Sequence, residues 1–318
     1  MHKLRKFYYD NKYKIWGVIA FIVLLLAIIQ ILNNLVANTN NINIANSNTS
    51  NTINDLNSGN KNTYVTNDES IINGGKIDST ELEDASKIIE EFISECNNGN
   101  IERAYNLLTE DCKDEMYQDI NKFRDFYYNK IFINNSKKIA TIENWTANTY
   151  IVNISDDIMA TGGSSENSFQ DYITIEDEND ILKISLNNFI GKEELNEVKN
   201  IDNIEFQIIE KSVYIDYEIY TIKVINNTTD NIILDDLSNP KAIYLEDSNG
   251  MKYYSYSSEI IPNLLKVNRG FSTQFDIKFS REYSTDRVGI NSLVFSEAIL
   301  NSDENKQNEE KSKIIINF

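Results

Sequence analysis

Few side chains in this sequence are of a type that does chemistry. The only histidine is His2, beside the first Met, so no imidazole is available as a general base, triad member or zinc ligand in a folded site. The two cysteines, Cys96 and Cys112, are too few for a cysteine-based zinc site or a disulfide framework. They flank a short helical segment, and across a helical hairpin their Cα atoms fall beyond the ~7 Å reach of a disulfide. Two buried thiols are therefore expected, with a bridge as the alternative. The acidic run Asp177-Glu178-Asn179-Asp180 fails as a calcium loop, because the sixth and twelfth positions hold Leu182 and Asn188 where Gly and Glu are needed. The pairs Asp156-Asp157 and Asp235-Asp236 read as solvated turns rather than ligand sets. Gly162-Gly163-Ser164-Ser165 has neither the following helix nor the basic residue of a phosphate cradle. No catalytic residue, cofactor site or metal site is assigned on these grounds.

Charge narrows the partners. The 49 Asp and Glu against 30 Lys and Arg give a net charge of −19, which argues against nucleic acid, whose backbone needs a basic face. The distribution is directional. Lys3, Arg5, Lys6, Lys12 and Lys14 precede Ile15 with only Asp10 opposing them, which leaves 25 basic against 48 acidic residues in the remainder. From Ile15 to Leu32 there is no charge, and Asn33 to Ala37 extend the run to the roughly 20 residues that a hydrocarbon core requires. The charge step predicts a single transmembrane helix over 15–37, residues 1–14 cytoplasmic and the rest extracytoplasmic. The rivals are a cleaved signal peptide, although Leu35 stands where a small residue would precede the cut after Ala37, and a buried core helix, which would not be flanked by such a charge step.

The elements that would position any site follow a linker. Residues 38–77, rich in Asn, Ser and Thr, lack the apolar surface to offset ordering entropy and read as disordered. Thr80 with Glu83 forms a capping box at a helix start, and Leu82, Ala85, Ile88, Ile89, Phe92 and Ile93 recur on one face. Asn100 caps a second helix, and Asp119 to Lys130 forms a third, with Phe123, Phe126 and Tyr127 on one side. Lys138–Thr146, Thr149–Ile154, Phe169–Ile175 and Ile181–Ile190 read as strands, with the clearest turn at Glu176 to Asp180. The expected fold class is α+β: three helices on a curved antiparallel sheet over 78–194, then an all-β sandwich over 201–318. In the second part, Tyr214–Asn226 is the longest strand and is expected to be buried on both faces in its second half. Asp247-Ser248-Asn249-Gly250 is a strong hairpin turn.

The stretch EEFISECNNGNIERAYNLLTEDCKDEMY, Glu90 to Tyr117, resembles the helical opening of nuclear-transport-factor-two-like domains, and Asp171 to Ile190 resembles their closing hairpin. The likeness covers about Ser79 to Lys192 and contains no chemical motif. It implies a cone-shaped fold with a possible pocket, which Tyr127, Tyr150 and Trp145 either line or leave as core aromatics. Lys223 to Thr228, Leu245 to Tyr253 and Phe271 to Phe279 resemble immunoglobulin-like domains of Gram-positive surface proteins. Together the resemblances imply a membrane-anchored binding or assembly protein without catalytic activity. Its expected partners are another envelope or membrane protein and the bilayer, with no nucleic acid. The alternatives are a small-molecule enzyme using the cone pocket, a scaffold of a conjugation or secretion apparatus, and a cell-envelope sensor. Conjugation scaffolds of this kind carry a second domain of the same fold, whereas here the second part is β only.

Overall fold

The computed structural model describes residues 62–67, 69–72, 78–132, 136–157, 168–302 and 310–318. The apolar run 15–37, the stub 1–14, most of the expected linker, the Gly162-Gly163 loop and residues 303–309 lie outside the described residues. Among the described residues no helix is long and apolar enough to cross a membrane, so the expected transmembrane helix has no counterpart among them. The 19-residue helix α1, Ser79–Asn97, has the length but carries Glu81, Glu83, Asp84, Lys87, Glu90, Glu91 and Glu95.

That helix forms because one stripe is apolar. Leu82, Ala85, Ile88, Ile89, Phe92, Ile93 and Cys96 are all buried. Its N-cap is Asp78 rather than Thr80: the Asp78 carboxylate accepts the Thr80 amide at 2.7 Å, and this bond holds the carboxyl below its ordinary range. An ionised oxygen beside unpaired helix amides is a stronger acceptor than a hydroxyl. At the other end Gly99 takes φ +72°, and the amides of Gly99 and Asn100 return to the carbonyls of Cys96 and Glu95. Two short helices follow, α2 (Ile101–Asn106) and α3 (Glu110–Met116). Then Ile120–Phe123, Arg124–Tyr128 and Asn129–Ile131 run on as one helix, α4, whose middle turn is π. The π turn brings Phe123 and Tyr127 into the core, stacked at 5.9 Å, and turns Phe126 out to 59% exposure, against the expectation that all three share a face.

The helices cover a five-stranded sheet: β1 (Thr63–Asn67), β2 (Lys138–Thr146), β3 (Thr149–Asp156), β4 (Ser168–Asp177) and β5 (Leu182–Ser185), in that order. β1 falls inside the expected linker and pairs parallel with β2, Thr63 opposite Ala140, while the other pairs are antiparallel. The expected strand Ile181–Ile190 is broken by Asn187 and Asn188, both at positive φ. β6 (Phe189–Ile201) starts after this break and joins a different sheet, running through the residues between the two expected domains.

That second sheet has the order β13-β8-β7-β6, with β7 (Ile204–Tyr214), β8 (Glu218–Asn226) and β13 (Ser272–Phe279). The third is built from β9 (Asn231–Ile233), β10 (Ile243–Asp247), β11 (Lys252–Tyr254), β12 (Lys266–Val267), β14 (Ile290–Ser302) and β15 (Ser312–Asn317). Phe206, Ile208, Ile222 and Val224 from one sheet share a core with Leu245, Leu293, Phe295 and Ile316 from the other. In β8 burial alternates strictly. Glu218, Tyr220, Ile222, Val224 and Asn226 face inward and the residues between them do not, so the expected burial on both faces is corrected. Glu115 of α3 ties the helical part to the second sheet by accepting the hydroxyls of Ser212 at 2.9 Å and Tyr214 at 3.0 Å.

The expected α+β class is corrected as well. Of the described residues 48% are in strands and 22% in helices, there are four helices rather than three, and the sheet beneath them is not wholly antiparallel. Among the described residues after Ile131 the regular elements are strands, joined by loops and two short 3₁₀ turns.

Two motifs in the second half are structural knots. Asn226, fully buried, donates to the carbonyls of Asp230 and Val267 and accepts from the amide and hydroxyl of Thr228. Asp247 accepts the amides of Asn249 and Met251 and the hydroxyl of Tyr253, which explains the spacing of Asp, Asn-Gly and Tyr in that hairpin. Asn226→Ala leaves the buried Val267 carbonyl without this donor and loosens the turn at Asp230, and is expected to cost about 1–3 kcal/mol, read as a lower urea midpoint with an unchanged slope.

Candidate functional site

The interior of the helical half contains one acid–phenol pair. β4 brings Asp171 beneath the π turn of α4, where Tyr127 Oη donates to Asp171 Oδ2 at 2.8 Å. The Asn188 amide, set by the left-handed Asn187-Asn188 turn, reaches Oδ1 at 3.3 Å. Burial pushes the Asp171 carboxyl up to about 6, although the bonds from Asn187, Tyr127 and Asn188 oppose this. Burial raises the Tyr127 phenol well above its ordinary value, with the Asp171 charge adding to it. A carboxyl near neutrality beside a phenol is the chemistry of general acid–base catalysis, provided that a substrate reaches hydrogen-bond distance.

The space a substrate would need is filled. Phe92, Tyr117, Phe123 and Phe169 surround the Tyr127 ring at centroid distances of 5.9–6.2 Å, and Asp171 is 1% exposed. The pair is therefore a satisfied polar contact inside an aromatic core. The other aromatics considered from the sequence are not brought to it. Tyr150 is buried on β3, where burial pushes its phenol up to about 12. Trp145 lies on the other face of β2, edge-on to Tyr172 at 5.3 Å and near Tyr283 at 6.1 Å. Cys96 and Cys112 are free and buried, and burial pushes the Cys112 thiol up to about 12, so neither is a nucleophile at neutral pH.

The acidic pairs divide between turn and core. Asp156 is buried in an ion pair with Lys138 at 2.5 Å, and Asp157 follows it out of β3. Asp235 is buried while Asp236 caps its own turn through Ser238 and pairs with Lys311 at 3.4 Å. Among the described residues no group of three or more Cys, Asp or Glu side chains is placed to hold a metal ion.

The strongest charge cluster was not singled out from the sequence. Glu218, with no exposed surface, accepts Arg281 Nη1 at 2.8 Å and Arg287 Nη1 at 2.5 Å on one oxygen, and the Tyr220 hydroxyl at 3.2 Å on the other. Arg281 is capped by the Val288 carbonyl and lies over the Tyr253 ring. The available signal was phase: Glu218 continues the inward series Tyr220, Ile222, Val224. These charges satisfy each other and anchor the β13–β14 connection to β8.

No protein-family model, curated protein or solved structure matches this chain. Function is therefore read from the geometry. A surface cleft of about 620 Å³ lies between the C-terminal end of α1, the end of α4 and the approach to β2. Asn62, Ser94, Asn98, Tyr128, Phe132 and Lys137 line it, and none of the described lining residues is acidic.

Proposed function

We propose that the protein is a non-catalytic binding or assembly protein that works through its surface, and that its partner is another component of the cell envelope. The observation that carries this reading is the filled interior: Asp171 and Tyr127, the best-placed acid–base pair, are closed in by Phe92, Tyr117, Phe123 and Phe169. A second buried ionic group, Glu218 with its two arginines, anchors the β13–β14 connection. The envelope placement draws on the basic stretch before Ile15 and the acidic balance after it. A net negative surface also disfavours polyanions as partners.

Photo-crosslinking in living cells followed by mass spectrometry tests this. A reproducible envelope partner is expected. Recovery of no specific partner, or detection of turnover that depends on Asp171, would count against the reading.

A further inference from the structure

We propose that the cleft beside α1 and α4 binds an uncharged, hydroxyl-rich saccharide. The assignment deepens the binding reading and rests on it in taking the protein as a binder. Four observations converge on this ligand class.

The first is charge. In a chain of net charge −19, no acidic residue is among the described residues that line the cleft, and Lys137 is the one charged residue among them. A cationic ligand finds no carboxylate there, and a polyanion finds one lysine. The remaining polar groups are amides and hydroxyls, which recognise neutral ligands through hydrogen bonds.

The second is an acceptor without a donor. Asn62 is 6% exposed, and its Oδ1 has no hydrogen-bond partner. The Asn62 backbone carbonyl accepts the Ala140 amide at 2.7 Å, so β2 holds the residue in place. A buried acceptor left unpaired is costly, and because Asn62 is one of the lining residues, a small turn of its side chain would offer Oδ1 to a ligand hydroxyl.

The third is an aromatic ring: Tyr128, half-buried, lies stacked on the buried Phe132 at 5.6 Å with 16° between their planes, and both line the cleft. Aromatic faces carry negative partial charge, which suits the C–H face of a pyranose ring. A saccharide is the common small ligand that presents such a face together with a rim of hydroxyls.

The fourth is preformed shape. Asn97 clamps the base of the cleft to β2, donating to the Lys138 carbonyl and accepting the Lys138 amide, each at 2.8 Å. The volume of about 620 Å³ lies within the range of about 300–1,000 Å³ for small-ligand pockets. The wall that Asn97 holds in this way loses little entropy on binding.

The test uses the full chain and three probes: cellotetraose, maltotetraose and tetra-N-acetylchitotetraose. Saturation-transfer NMR and titration calorimetry are expected to show binding of at least one, with Kd on the order of 0.1–1 mM. Asn62→Leu keeps the residue's bulk and is expected to weaken binding about 5–10-fold. Ser94→Trp fills the cleft from α1 without touching the core, and is expected to abolish binding while circular dichroism stays unchanged. No binding of any probe to the intact protein overturns the assignment, as does binding that both folded variants retain. A crosslinked protein partner recovered without sugar binding removes this inference and leaves the binding reading standing. New reducing ends appearing during titration remove the non-catalytic reading instead.

Discussion

Glu218→Leu is expected to cost the fold about 3–5 kcal/mol, because it leaves Arg281 buried without its carboxylate. Arg281 is itself 4% exposed and its Nε has no hydrogen-bond partner among the described residues, so Glu218 is its one directly paired carboxylate, with the Val288 carbonyl, the Tyr253 ring and the nearby Asp247 charge adding to it. Against a total stability of about 5–15 kcal/mol, that loss threatens folding at physiological temperature. Arg287→Ala removes the more exposed of the two arginines and is expected to cost only about 1 kcal/mol. Urea denaturation of the two variants side by side checks the order. Equal midpoints would mean that the buried network does not anchor the loop between β13 and β14.

The second large effect is a pH dependence centred on Asp171. Its folded carboxyl titrates at about 6, above the roughly 3.9 of an unfolded aspartate. The folded state therefore binds this proton more tightly. The contribution favours the fold fully below about pH 4 and is lost as pH rises through about 6, a change of about 3 kcal/mol. Other groups titrate in the same window. Burial, with Asp111 and Glu178 adding to it, raises Glu176 to about 7, in the same sense. Asp156 is lowered, chiefly by Lys138, in the opposite sense. Asp171→Asn isolates the one group, since its amide still meets the Tyr127 hydroxyl. The stability difference between wild type and variant should fall steadily from pH 4 to pH 7. A flat difference would show that Asp171 is not linked to folding through its proton.

Some of this architecture was legible residue by residue. The α1 stripe and the bounds of β2 follow from local period, and both are where the spacing put them. The Asn226 and Asp247 knots were visible as motifs because every side-chain bond of Asp247, and all but one of those of Asn226, lie within six residues. The cap at Asp78, the π turn in α4 and the break at Asn187-Asn188 are local as well. They depend on which of several permitted conformations the neighbouring core selects, and Tyr127 must turn inward to meet both Phe123 and Asp171.

By itself, the sequence determined what the protein lacks and where its chain changes period: no usable imidazole, two isolated thiols, a helical opening and a long strand-rich remainder. Tertiary structure decided everything that depends on residues far apart in the chain. β1 becomes a strand because β2, more than seventy residues on, offers it a parallel edge. Glu218 becomes a buried ion because Arg281 and Arg287 return to it from beyond β13. The cleft exists because the ends of α1 and α4 meet Asn62 and Lys137. Hydrophobic period reports which face of an element is buried, but the identity of the group opposite is set only when distant segments pack.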